Sequence, residues 1–127
     1  MDYHEFLERV VNDGIEAAKK DYSRPEQESK LRGSIQGFED CRGKSPTEIG
    51  EILKKADKRT FEASIRVHED EISDQEYWAV RCREAEIEWV ANVVSAMLMN
   101  QGLPVIVAPT ARGAMKAAEI VGVEGGP

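Results

Sequence analysis

The chain has 127 residues, of which 41% are hydrophobic, 6% aromatic and 32% charged. This length and composition are typical of one folded domain and exclude a disordered or fibrous protein. The formal net charge is −7, and such a field repels long polyanions, so DNA is not expected as a partner. A local cluster of cations could still hold a small anion.

The sequence also bounds the compartment and the cofactors. No apolar run approaches the ~20 residues of a membrane span, and the first ten residues mix charges with apolar side chains. We therefore expect no membrane contact, no cleaved signal and a cytoplasmic location, the host cytoplasm if the gene belongs to a phage. Cys41 and Cys82 show no zinc or redox spacing, and His4 and His68 are isolated. Free thiols, no metal and no cofactor are expected.

The first part of the chain predicts two helices. Apolar side chains recur three or four residues apart over the first 18 residues, which predicts an amphipathic helix over residues 2–21. Ser23 and Glu26 form a Ser-x-x-Glu pattern, the capping box that begins many helices. A second helix is therefore expected to begin there and to end near Gly43.

Two further capping boxes predict two further helices. They lie at residues 45–48 and 73–76, and the second begins the longest helix, which is expected to end near Asn100. From Val93 to Met99 this helix is apolar nearly all round, as either a centrally buried segment or a subunit contact would be.

The C-terminal part predicts a change of structure. Residues 103–108 are short, β-branched and bounded by Gly102 and Pro109, which favours a strand or an extended segment. Thr110 then caps a last helix. The predicted fold is a single, mainly α domain over residues 1–127. Its N-terminal helices occupy residues 1–68, and a long central helix, the extended segment and the final helix occupy residues 73–121.

Two glycines lie on one face of the second predicted helix. Gly33 and Gly37 each cost a helix about 1 kcal/mol relative to alanine. We therefore expect another backbone to approach closely at this face, either in a tight helical hairpin or across a subunit contact. Together with the apolar stretch before Asn100, these glycines predict a homo-oligomer, either a dimer or a hexamer.

Catalytic groups are scarce in this sequence. A nucleophilic site needs a base, and the two histidines, which we expect at the surface, have no nucleophile nearby in sequence. Glu84 and Glu88 lie four residues apart, like half of a carboxylate metal site, but the partner Glu-x-x-His pattern is missing. A solvated helix face is the expected explanation of this pair. The sequence therefore does not predict an enzyme.

An anion site is predicted at the start of the last helix. The backbone N–H groups and the dipole of a helix N-terminus attract anions. Thr110 adds a hydroxyl there, and Arg112 and Lys116 place two cations four residues apart. The alternative is a capped helix whose Arg112 and Lys116 face solvent.

A nucleotide would also need a wall for its base. Trp89 and Trp78 on the long helix could supply a stacking surface, and Asn92 and Asn100 could bond a base edge. Tryptophans at helical spacing are more often core residues. A further basic spot lies around Arg24, Lys30 and Arg32, for which the alternative is a solvated face paired with neighbouring glutamates.

Two blocks of sequence resemble a known family. They are RPEQESKLRGSIQGFEDCRG and EYWAVRCREAEIEWVANVVSAMLMNQGLPVIVAPTARG. They resemble the phage Thoeris anti-defence sponges, which sequester cyclic ADP-ribose signals and share a helical hairpin with sponges that act against CBASS signalling. The resemblance implies a non-catalytic, symmetric oligomer that holds the nucleotide in pockets between subunits, with cyclic oligonucleotides as a second class of ligand.

The resemblance also assigns roles to residues. It implies that Thr110 and Arg112 contact a pyrophosphate and that Asn92, with Trp89 nearby, faces the nucleotide. Arg24 and Lys30 become candidates for a second site where subunits meet. An aromatic residue is expected around Cys82, and the chain has none beside it in that helix. The alternative function is a small helical interaction or regulatory protein of phage or bacterial origin, which would bind a partner through the apolar stretch before Asn100.

Overall fold

A computed structural model describes residues 2–101 of the chain. Over this range the protein is helical, with no strand among the described residues, and the predicted mainly α class is confirmed for them. The extended segment predicted at residues 103–108 and the helix predicted after Thr110 lie outside the described residues. The helices of the described part are α1 (Tyr3–Asp21), α2 (Glu28–Cys41), α3 (Pro46–His68) and α4 (Asp74–Asn100), with a short 3-10 turn at Pro25–Gln27.

Two of the three predicted capping boxes begin helices as expected. The Ser45 hydroxyl accepts a hydrogen bond from the backbone N–H of Glu48 at 3.2 Å, and the Glu48 carboxylate accepts one from the N–H of Ser45 at 2.9 Å. Ser73 accepts from the N–H of Glu76 at 3.1 Å. These bonds satisfy donors at the first turns of α3 and α4 that have no partner within the helix.

The third predicted box is wrong. Ser23 does not cap a helix; Arg24 occupies the N-cap position of the 3-10 turn, and α2 begins only at Glu28. The reason is Pro25, which favours the first helical position because it has no N–H to satisfy. The residue immediately before it therefore takes the cap, and the Gln27 side chain accepts from the N–H of Arg24 at 3.4 Å.

Helix α4 is the centre of the packing. It packs against both α2 and α3, and α1 packs against α2. Residues 93–98 of α4 are all buried within the single chain, whereas Met99 is 59% exposed. Of the two explanations of the apolar stretch, the structure supports the centrally buried segment, which ends one residue before Met99.

The glycines of α2 are also explained within the chain. A Cβ atom added at Gly37 would lie 2.5 Å from the carbonyl oxygen of Arg83 in α4, and Gly33 is in similarly close contact with α4. The close approach predicted from the sequence is therefore that of α2 and α4. The homo-oligomer stays a prediction, but neither the glycines nor residues 93–98 require it.

The two cysteines are free thiols, as predicted. Cys41 is completely buried in the core, and burial raises the pKa of its thiol to about 12. Cys82 is partly exposed. Across residues 2–101, no helix combines the length and apolar character needed to cross a membrane.

Candidate functional site

A cleft of about 770 Å³ opens between α1 and the C-terminal half of α4, and part of α2 forms its floor. We call it the aromatic cleft, because four aromatic side chains from three different parts of the chain line it. Its volume lies within the range of small-molecule and cofactor sites. The aromatic residues are Phe6, Tyr22, Phe38 and Trp89.

A glycine in α1 makes room for the floor of the aromatic cleft. A Cβ atom added at Gly14 would lie 2.3 Å from the ring of Phe38, so only a residue without a side chain lets that ring lie against α1. Trp89 of α4 contacts the same ring edge to face, with ring centroids 6.2 Å apart and an interplanar angle of 82°. The Phe38 ring therefore fixes the orientation of the partly exposed Trp89.

Tyr22 closes the cleft beside Cys82. Burial, followed by the proximity of Cys82, raises the pKa of the Tyr22 hydroxyl. The hydroxyl is therefore neutral at physiological pH and can donate or accept. The resemblance led us to expect an aromatic residue around Cys82 in α4. The structure provides one from the end of α1.

The described walls of the aromatic cleft are not basic. Among the described lining residues Arg9 is the one arginine, and this exposed side chain forms a long ion pair with Asp13 at 3.7 Å. Asp21 and Glu86 add two further carboxylates. A phosphate bound here would therefore need cations from outside the described walls.

Three of the predicted ligand residues lie outside the described part of the chain. Thr110, Arg112 and Lys116 follow Gln101, which lines the aromatic cleft and is the last described residue. Their predicted role as an anion site therefore stays a prediction.

Of the residues predicted to form a wall for the base, some line the aromatic cleft and others do not. Trp89 and Asn100 line the aromatic cleft. Asn92 is only 5% exposed and does not line it. Trp78 lies elsewhere, 45% exposed, with the ammonium of Lys30 5.1 Å from the centroid of its indole ring. Of the residues proposed to hold a base, the structure thus brings Trp89 and Asn100 together.

The predicted second ligand site lies apart from the aromatic cleft. The Arg24 side chain forms an ion pair with Glu26 at 3.6 Å and donates to Gln27 at 3.4 Å. Lys30 lies over Trp78, as described above. Both cations therefore have partners within the chain, and their role between subunits stays a prediction.

The expected solvated face at Glu84 is not what the structure shows. Glu84 lies against α3, near Asp57. Burial, with a smaller contribution from the neighbouring Asp57 carboxyl, raises the pKa of Glu84 to about 7. Within residues 2–101, no group of three or more acidic, histidine or cysteine side chains could hold a metal ion.

Sequence reasoning missed the floor of the aromatic cleft. The sequence identified neither Phe38 nor Gly14 as a residue of a site. A glycine in the middle of an amphipathic helix is the one signal that points to a bulky neighbour, but it does not identify that neighbour.

Comparisons with known proteins do not extend this description, because no protein-family model, characterised protein or solved structure matches the chain. The function is therefore argued from the aromatic cleft and from the residues that follow it in the sequence.

Proposed function

We propose that the protein binds a cyclic nucleotide of the ADP-ribose class without transforming it, and so withholds an immune signal from its receptor in the host. The observation that carries this proposal is the aromatic cleft, in which Trp89 stands at the wall of a space of about 770 Å³. The resemblance of the two sequence blocks to anti-defence sponges supplies the class of ligand.

The cleft suits the base and ribose of such a ligand. Aromatic faces stack on any nucleobase, and Trp89 is held in place by its contact with Phe38. Asn100 and Gln101 supply amide groups at the same wall, and Tyr22 supplies a hydroxyl. These groups can bond ring nitrogens and ribose hydroxyls without carrying a charge.

The phosphates need a different environment. Because the carboxylates outnumber the cations along the described walls, we propose that Arg112 and Lys116 neutralise the pyrophosphate. Thr110 and the backbone N–H groups of a helix start at that position would complete the contact. The linear order of the chain supports this division, since Gln101 lines the cleft and the Pro-Thr-Ala-Arg-Gly segment begins eight residues later.

Sequestration requires only tight binding and abundance. It needs no base, nucleophile or metal, and the sequence provides few candidates for any of these. A protein of this kind returns its ligand chemically unchanged when it unfolds.

Native mass spectrometry of the full chain with a panel of nucleotide signals tests the proposal. We expect a complex with a cyclic ADP-ribose isomer, and heat denaturation should release that isomer intact. Release of cleaved product would instead indicate an enzyme. If none of the nucleotides is retained, the proposed ligand class is wrong.

A second candidate function is a helical interaction protein. The apolar stretch before Asn100 cannot serve it, because residues 93–98 are buried in the chain. Phe61 and Ile65 can, since they lie one turn apart on α3 and are 67% and 44% exposed. A single stoichiometric protein partner, lost on Phe61→Ser and found without retained nucleotide, would favour this function.

A further inference from the structure

A second cleft, of about 260 Å³, lies between α2, α3 and α4 and shares no lining residue with the aromatic cleft. We call it the arginine cleft. Its walls carry four guanidinium groups that are far apart in the sequence and come from three helices. They belong to Arg32, Arg59, Arg66 and Arg83.

The charge of the arginine cleft is opposite to that of the chain. Its lining carboxylates are Glu62 and Glu76, so four positive and two negative side chains give a lining charge of +2, and Asp40 and Glu71 pair with two of the arginines from outside the lining. The whole chain carries −7. A concentration of guanidinium groups in so acidic a protein favours an anionic ligand at this place, because nearby charges outweigh the distant field in a partly enclosed cleft.

Among the described residues Arg59 has no ion-pair partner, although the carboxylates of Asp40 and Glu84 lie near enough to attract its charge. None of the described ion pairs includes it, and its Nε atom is buried with no hydrogen-bond acceptor. Burial, and then the neighbouring Arg83, lower the pKa of its guanidinium, which still remains charged at neutral pH. A buried donor without an acceptor is unfavourable, and a bound anion would relieve this.

The other three arginines are held with different strength. Arg83 is fixed by Asp40, with Nε and Oδ2 2.7 Å apart and both side chains about one quarter exposed. Arg32 contacts Glu76 at 3.7 Å and Arg66 contacts Glu71 at 3.4 Å, and all four of these side chains are at least half exposed. Such long, exposed pairs contribute little, so an anion can displace their carboxylates.

Small side chains leave the space between these groups. Ala63 of α3 and Ala79 of α4 line the cleft and are 5% and 6% exposed. Larger residues at these positions would fill it. The volume lies below the range of drug-sized ligands, and it suits a tetrahedral oxyanion with a few attached atoms.

We propose that the arginine cleft binds a phosphate group, either free phosphate or the terminal group of a small phosphomonoester. Arg59 is the main contact, and Arg32 and Arg66 turn from their carboxylates towards the anion. Guanidinium groups suit this ligand because their parallel N–H donors match two phosphate oxygens. The inference is independent of the proposed function, since it uses other residues and another ligand.

Calorimetric titration of inorganic phosphate into the full chain, at ionic strength held constant with sodium chloride, tests this site. We expect saturable binding of one phosphate per chain. Arg59→Gln should weaken it about tenfold or more, the usual effect of losing a charge-assisted hydrogen bond. The control is Arg81→Gln, which removes an equal charge from an exposed position of α4 outside the cleft and should leave the affinity unchanged.

A second variant, expected to bind phosphate more tightly, keeps the test valid if Arg59→Gln fails to fold. Glu76→Gln removes the nearer of the two carboxylates that pair with Arg32, the other being Glu28 at 3.9 Å, so it should tighten phosphate binding several-fold, a gain that unfolding cannot produce. Parallel titration of ribose 5-phosphate shows whether a free or an esterified phosphate is preferred. Absence of saturable binding by the unaltered chain, equal losses in the Arg59 and Arg81 variants, or no gain in the Glu76 variant would each overturn the proposal.

Discussion

A Cβ atom added at Gly33 in α2 would lie 2.1 Å from the carbonyl oxygen of Ala79 in α4. The obstacle is backbone, so it cannot turn aside as a flexible side chain would. Gly33→Ala should therefore push the two helices apart. Overpacking of this kind costs about 1–3 kcal/mol, and it outweighs the gain of about 1 kcal/mol in helix propensity.

Urea unfolding followed by circular dichroism measures this effect. We expect a net loss of up to about 2 kcal/mol in the free energy of unfolding, from the two opposing contributions just given. Lys55→Ala, at an exposed position of α3, is the control and should change it little. Stabilisation by Gly33→Ala would contradict the close approach.

The two tryptophans provide a matched test of the aromatic cleft. Trp89→Leu keeps apolar volume but removes the stacking face, and it should weaken nucleotide binding about tenfold, within the range of one lost base stack. Trp78→Leu removes an indole outside the cleft and should leave the affinity unchanged. Titration of cyclic ADP-ribose isomers into the unaltered chain and the two variants measures both changes in affinity. Equal affinities of the two variants would count against Trp89 as the wall.

Arg112 is the predicted phosphate contact of the same ligand. Arg112→Ala should weaken the complex about tenfold to hundredfold, since a charge-assisted hydrogen bond contributes about 1.5–3 kcal/mol. Arg112→Lys, which keeps the charge but loses the paired donors, should lose less. Calorimetric titration gives both values. The anion-site hypothesis fails if Arg112→Ala binds as tightly as the unaltered chain.

Glu84 makes stability depend on pH. Its pKa is about 7 in the folded protein and 4.5 as the unperturbed reference, so the folded state binds the proton more tightly. The proton on Glu84 stabilises the folded state fully below pH 4.5, the unfolded pKa. This stabilisation is lost as the pH rises through about 7, the folded pKa. Because Glu84 is partly exposed and screened by solvent, we expect this loss to be about 1 kcal/mol.

Glu84→Gln cannot lose a proton and should remove this contribution. The variant is expected to be more stable than the unaltered chain at pH 8, and the difference should shrink as the pH falls from about 7 to 4.5, because position 84 is then neutral in the folded and unfolded states of both proteins. Denaturant midpoints across this pH range measure it. Glu88→Gln, one turn along α4, is the control. A difference that does not vary with pH would contradict the raised pKa.

Substitutions at two apolar residues of α4 distinguish an effect on folding from an effect on assembly. Val94 is completely buried and Met99 is 59% exposed. Val94→Asp should unfold the chain, because an unpaired buried charge costs several kcal/mol, whereas Met99→Asp should leave the helix content intact. Circular dichroism and sedimentation together check this. If Val94→Asp stayed folded, the burial of Val94 within the chain would be contradicted.

The sequence predicted what depends on neighbours along the chain. Ser45 and Ser73 begin helices because each cap needs only residues within the next turn. Ser23 failed for an equally local reason, since Pro25 took the first helical position and shifted the cap by one residue. A capping pattern therefore predicts the start of a helix correctly unless a neighbouring residue, such as Pro25, shifts the cap.

Contacts between helices could not be predicted in this way. The spacing of Gly33 and Gly37 indicated a close approach, but it could not distinguish α4 of the same chain from a second subunit. Trp89 was identified as a wall residue, whereas the ring of Phe38 beside it was not, because their contact depends on how α2 and α4 pack. The arginine cleft is similar, since only tertiary packing brings Arg32 near Arg59.

The burial of Cys41 provides a native probe of core opening. Only the thiolate reacts readily with alkylating reagents, and the completely buried thiol with its pKa of about 12 yields almost none while the fold is closed. Labelling of Cys41 therefore waits for α2 to detach from its neighbours, while the partly exposed Cys82 reacts earlier. The modification rate at Cys41, read by mass spectrometry under native conditions, reports how often this part of the molecule opens.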